Sequence, residues 1–165
     1  MRASNAHLSG VNQLANSGTI TDRNGIVLAK SENGNRIYPP DVLTRKAMLH
    51  VVGDTRGYIS TSVQATYRSQ LTGYNPVTGI NSLKNNDGGG DIELTISSSL
   101  SKLALQQLNG KNGAVAIYNY KTGEVLCMVS SPNFDPANPP SDLDTDQSGK
   151  YEGVYLNKAL SSTYT

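Results

Sequence analysis

The chain has 165 residues and a formal net charge of +1, because 14 lysine and arginine residues nearly balance 13 acidic ones. This length suffices for the core of one ordinary domain, and the interleaved charges leave no basic face for nucleic acid or anionic lipid. The single cysteine, Cys127, excludes an intramolecular disulfide and any multi-cysteine metal site. No apolar run approaches the roughly 20 residues that cross a bilayer, and no signal peptide is recognised, so we expect a soluble chain.

Short apolar runs alternate with turn residues in the first half of the chain, which predicts short strands and helices. Residues 19–21 and 26–29 flank Asn24-Gly25, a strong hairpin signal because both turn residues tolerate positive φ. The elements predicted after this hairpin are an extended piece at 36–38, a helix at 41–49 capped by Asp41, a brief strand or turn at 50–53, and a helix at 61–71.

A region poor in apolar residues, 73–90, ends in Gly88-Gly89-Gly90 and favours a flexible linker. The elements predicted beyond it are a strand at 91–96, a helix at 100–108 with Leu100, Leu103, Ala104 and Leu108 as its apolar stripe, and a hairpin of 113–120 and 124–130. Both faces of this hairpin are apolar, so we expect it to be buried on both sides in a covered sheet. A loop rich in proline and aspartate, 131–150, and an apolar patch at 154–160 follow.

Blocks of sequence in a fixed order resemble one protein family. The most specific block, at 20–29, reads Ile-Thr-Asp-Arg-Asn-Gly-Ile-Val-Leu-Ala, and the other blocks are 36–39, 50–53, 67–73, 91–100, 113–136 and 156–160. Over nearly the whole chain they resemble the extracytoplasmic part of a penicillin-binding protein, a class B-like peptidoglycan D,D-transpeptidase. Two positions depart from the family pattern, since Ser17-Gly18 replaces an Arg-Gly pair and Gln64 replaces a glutamate.

The resemblance implies an α+β fold in four parts. These are a polar lead-in after a missing membrane anchor (1–16), a strand-rich, non-catalytic pedestal or dimerisation-type module (17–86), a Gly-rich linker (87–90), and the incomplete start of a transpeptidase domain of the serine β-lactamase-like kind (91–165), which includes the hairpin 113–130 and the loop 131–150. The resemblance further implies that the chain stops just before the catalytic Ser-x-x-Lys motif.

The resemblance also implies what the longer protein does. It would lie on the extracytoplasmic face of the bacterial cell membrane and cross-link peptidoglycan stem peptides through an acyl-serine intermediate. This activity would contribute to cell shape. Its partners would be the stem peptide and other cell-wall synthesis proteins in the membrane, and only the full-length protein would bind β-lactams.

Three short patterns match motifs of serine acyl-transfer enzymes, but their order argues against a site. Ser99-Leu100-Ser101-Lys102, Lys121-Thr122-Gly123 and Ser131-Pro132-Asn133 have the forms Ser-x-x-Lys, Lys-Thr-Gly and Ser-x-Asn. The last two stand in the reverse of the family's order, and the lysine motif falls in a predicted hairpin turn. Ser99 falls in the first turn of a helix, where serine caps more often than it attacks. We therefore predict no catalytic residue and an inactive chain.

Other residues that could carry chemistry favour structural roles. Residues 144–149 match the first half of a calcium loop, but position 12 of that loop is Tyr155 rather than a carboxylate, which favours a solvated acidic loop. His7 and His50 lack metal-binding companions at ligand spacing, and we expect His50 to be packed or hydrogen-bonded. Cys127 is predicted to be a small buried hydrophobe. The sequence predicts no metal and no cofactor.

Two other function classes stay open at this point. One is a stand-alone extracellular binding module, with calcium dependence as one form of it, and the other is a serine hydrolase that uses Ser99. The apolar hairpin 113–130 also predicts a homo-oligomer, because an uncovered strand edge is a template for pairing with another chain.

Overall fold

The computed structural model describes residues 14–75, 80–81 and 89–161. Both strands and helices occur within these ranges, and this mixture confirms the predicted α+β class. The strands are β1 (Ile20–Thr21), β2 (Val27–Glu32), β3 (Asn35–Ile37), β4 (Tyr74–Asn75), β5 (Ile80–Asn81), β6 (Ile92–Glu93), β7 (Gly113–Tyr118) and β8 (Val125–Ser131). The helices are α1 (Val42–Val52), α2 (Val63–Thr66), α3 (Arg68–Thr72), α4 (Ser98–Leu108) and α5 (Lys158–Ser161).

A four-stranded sheet in the order β3-β2-β1-β6 joins the two halves of the chain. The predicted hairpin is confirmed, since β1 and β2 pair antiparallel around Asn24-Gly25 and Gly25 has a φ of +75°. β6 pairs parallel with β1, although the predicted strand at 91–96 shortens to two residues. Most of the predicted linker lies outside the described residues, but Gly89 lies so close to α3 that a Cβ would stand 1.6 Å from the Leu71 carbonyl oxygen.

Helix α1 begins at its predicted cap and runs past its predicted end. The Asp41 carboxylate accepts a hydrogen bond from the Thr44 amide at 3.0 Å, which makes Asp41 the N-cap. The strand or turn predicted at 50–53 is wrong, because residues 50–52 continue the helix and are buried. Burial of Val51 and Val52 outweighs their weak helix propensity, and Gly53 ends the helix with a φ of +96°.

The single helix predicted at 61–71 is wrong in its continuity, because two short helices, α2 and α3, meet at Tyr67. Val63, Tyr67 and Leu71 recur at intervals of four, which suggested one helix with one buried face. Tyr67 is exposed, however, whereas Leu71 is fully buried. A local period of four therefore does not mark one buried face here.

Helix α4 packs on the β7–β8 hairpin. Ser97 caps α4 by accepting from the Leu100 amide at 3.3 Å, and the helix begins at Ser98, two residues before its predicted start. Ala104, Cys127 and Val129 form a small buried core between helix and hairpin. Leu103 was predicted to share the apolar stripe, but it is 51% exposed.

The hairpin has the predicted antiparallel pairing but lacks burial on both sides. The pairing extends from Gly113–Ser131 to Tyr118–Val125. Strand β8 is largely buried, whereas the end of β7 is open, with Ile117 39% and Tyr118 67% exposed. In the described part of the chain β7 pairs with β8 alone, so no further strand covers its outer edge there.

Candidate functional site

The Ser-x-x-Lys pattern at 99–102 does not bring an amine to a serine hydroxyl. Ser99 is exposed on the first turn of α4, and its hydroxyl lies 2.9 Å from the hydroxyl of Ser97. The Lys102 amine instead forms an ion pair with the Asp41 carboxylate at 2.8 Å. The hydrogen bond from Lys102, followed by that from Thr44, lowers the pKa of Asp41. Lys102 therefore anchors α4 to the start of α1.

The other two patterns lie at opposite ends of β8. Lys121-Thr122-Gly123 forms the predicted turn before β8, where Gly123 has a φ of +78° and donates to the Asn119 carbonyl at 2.7 Å. Ser131 is the last residue of β8, and the Asn133 amide donates to the Ser130 carbonyl at 3.4 Å. A strand advances about 3.3 Å per residue, so the two patterns are roughly 20 Å apart. They cannot line one cleft.

The acidic loop turns its carboxylates toward tyrosines. Asp144 accepts hydrogen bonds from the hydroxyls of Tyr155 and Tyr58, and the two tyrosine rings stack with centroids 5.0 Å apart. Asp142 accepts from Tyr151 at 3.2 Å, and Asp146 accepts from Ser148 at 2.7 Å. Among the described residues, no group of three or more His, Cys, Asp or Glu side chains could hold a metal ion.

Two residues that stood out in the sequence are buried as predicted. Cys127 lies on β8 and is fully buried against α4, where burial raises the pKa of its thiol. His50 is also buried, and its Nε2 lies 2.8 Å from the Val154 carbonyl oxygen. Neither side chain is placed to attack a substrate.

The segment that leads into α5 is fixed on the end of β8, and we take this contact as the candidate functional site. The Lys158 amide donates to the Ser130 hydroxyl at 3.0 Å, and the Lys158 amine donates to the Ser131 carbonyl at 2.8 Å. Asn157 is buried and accepts from the Ser130 hydroxyl at 3.5 Å and from the Ala159 amide at 3.2 Å. This set of bonds fixes both the position and the direction in which the chain leaves β8.

A buried carboxylate, Asp22, joins the first hairpin to α4. One carboxylate oxygen accepts from the amides of Asn24 and Ile26 at 2.8 and 3.0 Å. The other accepts from the Ser98 amide at 3.0 Å and from the Ser98 hydroxyl at 2.7 Å. Burial alone would raise the pKa of Asp22, but the bonds from Ser98, Ile26 and Asn24 together lower it. The carboxylate also faces the positive end of the α4 dipole.

An ion pair connects α1 to the loop that follows β8. The Arg45 guanidinium donates from Nε and from a terminal nitrogen to the two oxygens of Asp135 at 2.7 and 2.6 Å. Its other terminal nitrogen donates to the carbonyls of Pro39 and Pro40 at 2.8 and 2.9 Å. Because the Arg45 and Asp135 side chains are mostly shielded from water, we expect this two-pronged ion pair, the Arg45 clamp, to hold α1 and the loop together.

Gln64, one of the two positions singled out in the sequence, is a partner of the half-buried Arg36. Gln64 accepts from the Arg36 Nε at 2.8 Å, and its amide nitrogen donates to the Tyr38 hydroxyl at 3.1 Å. Arg36 also reaches the carbonyl oxygen of Gly18 at 2.7 Å. A neutral amide therefore serves as the side-chain acceptor for Arg36 Nε, and Arg36 also holds the backbone at Gly18.

The sequence offers limited signals for the contacts that matter most here. Asp-x-Asn-Gly at 22–25 is a recognisable turn in which the aspartate accepts backbone amides, but nothing local identifies Ser98 as its second partner. Arg45, Asp135, Ser130 and Asn157 carry no local signature of their pairing. Partners 27 to 90 residues apart meet only in the fold.

No family model matches the chain, but it is similar to known transpeptidases. It is 44% identical over 48 residues to the peptidoglycan D,D-transpeptidase MrdA of Acinetobacter baumannii, which covers 29% of this chain and 7% of that protein. Its structure matches crystalline PBP2 of Pseudomonas aeruginosa with a TM-score of 0.55 and 30% identity, over 73% of this chain and 28% of that one.

A third relative shares the fold over a larger part of the chain. PBPA of Mycobacterium tuberculosis is 22% identical with a TM-score of 0.62, over 87% of this chain and 37% of that one. The chain thus spans well under half the length of each of these three relatives. The shared fold and the sequence identity to transpeptidases show that the chain belongs to the penicillin-binding protein family, over the part of the family's length that it spans.

Proposed function

We propose that this chain is a non-catalytic supporting part of a D,D-transpeptidase that cross-links peptidoglycan stem peptides and is acylated by β-lactams. The observation that carries the proposal is the 44% identity to a peptidoglycan D,D-transpeptidase over 48 residues. The supporting role rests on the geometry of Ser99, whose nearest hydroxyl partner is Ser97 and whose nominal lysine is bound to Asp41. In this proposal the bonds at Ser130, Asn157 and Lys158 fix the direction in which the chain leaves β8 toward the catalytic part of the transpeptidase.

The location and the domain roles belong to the same proposal. Residues 17–86 would form the non-catalytic module and residues 91–165 the start of the transpeptidase domain, on the extracytoplasmic face of the bacterial cell membrane. Within the described ranges no helix has the length and apolar character to span a bilayer. Partners of the whole protein would be the stem peptide and cell-wall synthesis proteins.

Labelling with a fluorescent penicillin tests this proposal. We expect no covalent adduct on the 165-residue chain by intact-mass measurement, because the lysine of the Ser99 pattern, Lys102, is bound to Asp41 instead of to the Ser99 hydroxyl. The Ser99→Ala variant is the matched control and should give the same unmodified mass. Stoichiometric labelling that disappears in Ser99→Ala would instead establish the hydrolase alternative.

The contacts of the loop at 142–152 do not favour the alternative of a calcium-dependent binding module. Asp144 is occupied by two tyrosine hydroxyls, and Asp146 accepts from the neighbouring Ser148. These contacts stabilise the loop without a cation. The carboxylates of Asp144 and Asp146 are already engaged by hydroxyl groups of the protein and are not arranged around an ion.

We further propose that the chain self-associates through the outer edge of β7. This strand carries no charge from Gly113 to Tyr118, and its exposed end continues into Tyr120, which is 81% exposed. Edge strands without charged or proline residues pair readily with a second copy. Antiparallel pairing of two β7 strands about a two-fold axis would satisfy the backbone groups of both edges.

Light scattering over a concentration series tests the self-association. We expect the average mass to rise toward that of a dimer in the wild-type chain, and Ile117→Lys to suppress the rise by placing a charge on the edge strand. Val27→Lys is the matched control, since Val27 is similarly exposed at 38% but lies on a strand paired on both sides. A wild-type chain that stays monomeric at high concentration would contradict the proposal.

A further inference from the structure

The side chain of His50 connects α1 to a turn 104 residues further along the chain. His50 is 1% exposed, and its Nε2 lies 2.8 Å from the carbonyl oxygen of Val154. Val154 sits in a tight turn, in which its amide donates to the Tyr151 carbonyl at 2.9 Å and the Leu156 amide donates to the Gly153 carbonyl at 3.0 Å. This turn leads directly into Asn157 and α5.

The hydrogen bond fixes which ring nitrogen carries the proton. Because a carbonyl only accepts, Nε2 must be the N–H donor of a neutral imidazole. The other ring nitrogen, Nδ1, is buried and has no hydrogen-bond partner in the part of the chain that the structure describes. Protonation would turn Nδ1 into a buried donor without an acceptor, which costs free energy in addition to the cost of burying a charge.

The groups around His50 disfavour the imidazolium on balance, although the Val154 carbonyl and the position of His50 in the last turn of α1 favour it. The pKa of His50 is lowered first by burial, and the Lys158 amine on α5 lowers it further, against the opposing hydrogen bond to Val154. Arg45 and Lys46 lie on the same helix, and Arg45 is bound to Asp135. The titratable groups of the aromatic cluster beside α1 are Tyr58, Tyr151 and Tyr155, whose hydroxyls bond to Asp142 and Asp144.

We propose that His50 is an acid-sensitive latch, in which the neutral imidazole holds residues 151–161 on α1 and the imidazolium releases them while α1 and β8 stay folded. Water can reach Nδ1 only if one of the elements around it moves. Residues 151–161 consist of turns and one four-residue helix, whereas α1 has eleven residues and packs on both α4 and β8. Release of the turn is therefore the smaller change. The proposal stands on these contacts and does not need the proposed function.

The sign of the pH dependence follows from the proton count. The released imidazole has an ordinary pKa of about 6.5, so the open form binds more protons than the closed form below that pH. Opening therefore becomes more favourable as pH falls from 7.5 to 5.0, by up to roughly 30-fold over this interval.

Hydrogen exchange of the intact chain, followed by mass spectrometry at pH 7.5 and pH 5.0 and corrected for intrinsic rates, tests the latch. We expect exchange in residues 151–161 to accelerate by up to roughly 30-fold at pH 5.0, while α1 and β8 keep their protection. His50→Gln keeps a side-chain donor without a titrating ring and should remove the acceleration. His7→Gln is the matched control, because His7 is the other histidine of the chain, and it should keep the acceleration.

Three outcomes would overturn the latch: no acceleration, acceleration that persists in His50→Gln, or equal acceleration in α1, β8 and 151–161, which would mean global unfolding. NMR titration of His7→Gln, whose only histidine is His50, provides a measurement that does not depend on the folding of a His50 variant. We expect the ring to titrate below its ordinary pKa in step with amide shifts at 151–161. Titration at the ordinary value with unchanged amides contradicts the proposal.

Discussion

Replacing Arg45 by methionine is expected to lower the free energy of unfolding by about 3 kcal/mol, the lower end of the range for breaking a buried ion pair. The Arg45 and Asp135 side chains are 14% and 13% exposed, so the change leaves a shielded carboxylate without its cation. It also removes the donor that serves the carbonyls of Pro39 and Pro40. Arg45→Lys should give an intermediate loss, because an ammonium keeps the charge but not the two-pronged geometry.

Urea unfolding measures this effect, and Lys30→Met is the matched control. Lys30 pairs with Glu32 at 2.8 Å, but their side chains are 46% and 50% exposed, so breaking this pair should cost less than about 1 kcal/mol. The Arg45 clamp is contradicted if Arg45→Met unfolds at the same urea concentration as Lys30→Met.

The ion pair also makes a pH-dependent contribution with a definite sign. The hydrogen bond from Arg45, against an opposing effect of burial, holds the pKa of Asp135 below its ordinary value. A depressed carboxyl pKa stabilises the fold above the unfolded-state value of about 3.9, and that stabilisation is lost as pH falls through the folded-state value. The difference in stability between wild type and Asp135→Asn should therefore shrink below about pH 4.

Replacing Asp22 by asparagine is expected to lower the free energy of unfolding by about 2–3 kcal/mol. Asparagine can keep the oxygen that accepts from Asn24 and Ile26, but its amide nitrogen would then face the two donors of Ser98. The result is a buried contact between donors at the start of α4. Amide exchange should accelerate at Ser98 in particular.

Asp91→Asn is the matched control for Asp22→Asn in the same urea experiment. The Asp91 carboxylate accepts from the Thr19 amide at 2.6 Å and also crosses between the two halves of the chain, but it is exposed. Water can replace its lost interaction, so we expect a loss below about 1 kcal/mol. Equal losses in the two variants would show that Asp22 is no more than a surface turn residue.

The local elements of the fold were predictable, because their signals lie in adjacent residues. Asn24-Gly25 correctly predicted the first hairpin, and Asp41 correctly predicted where α1 begins. These signals rest on backbone conformation and on caps that reach three residues ahead.

Element ends and burial were predicted less well, because tertiary contacts decide them. Residues 50–53 were predicted to form a brief strand or turn, yet the aromatic and aliphatic cores beside α1 extend the helix through Val52. Leu103 and Ile117 fit apolar patterns but remain exposed. A pattern fixes which residues share a face, and it does not fix whether another element covers that face.

The contacts of the candidate site, and the contact of Asp22 with Ser98, could not be predicted from the sequence for the same reason. Ser130 and Asn157 meet across 27 residues, and Asp22 and Ser98 across 76. The resemblance to penicillin-binding proteins correctly identified the family, but it treated 156–160 only as a stretch that precedes the nucleophile. Only the structure shows that this stretch is hydrogen-bonded to the end of β8.

The most direct test of our account maps the acylated residue in the product of the complete gene. After reaction with a fluorescent penicillin and digestion, mass spectrometry should find the adduct on a serine outside residues 1–165, and every serine within them should be unmodified. An adduct on Ser99, or on any other serine of this chain, would contradict the account.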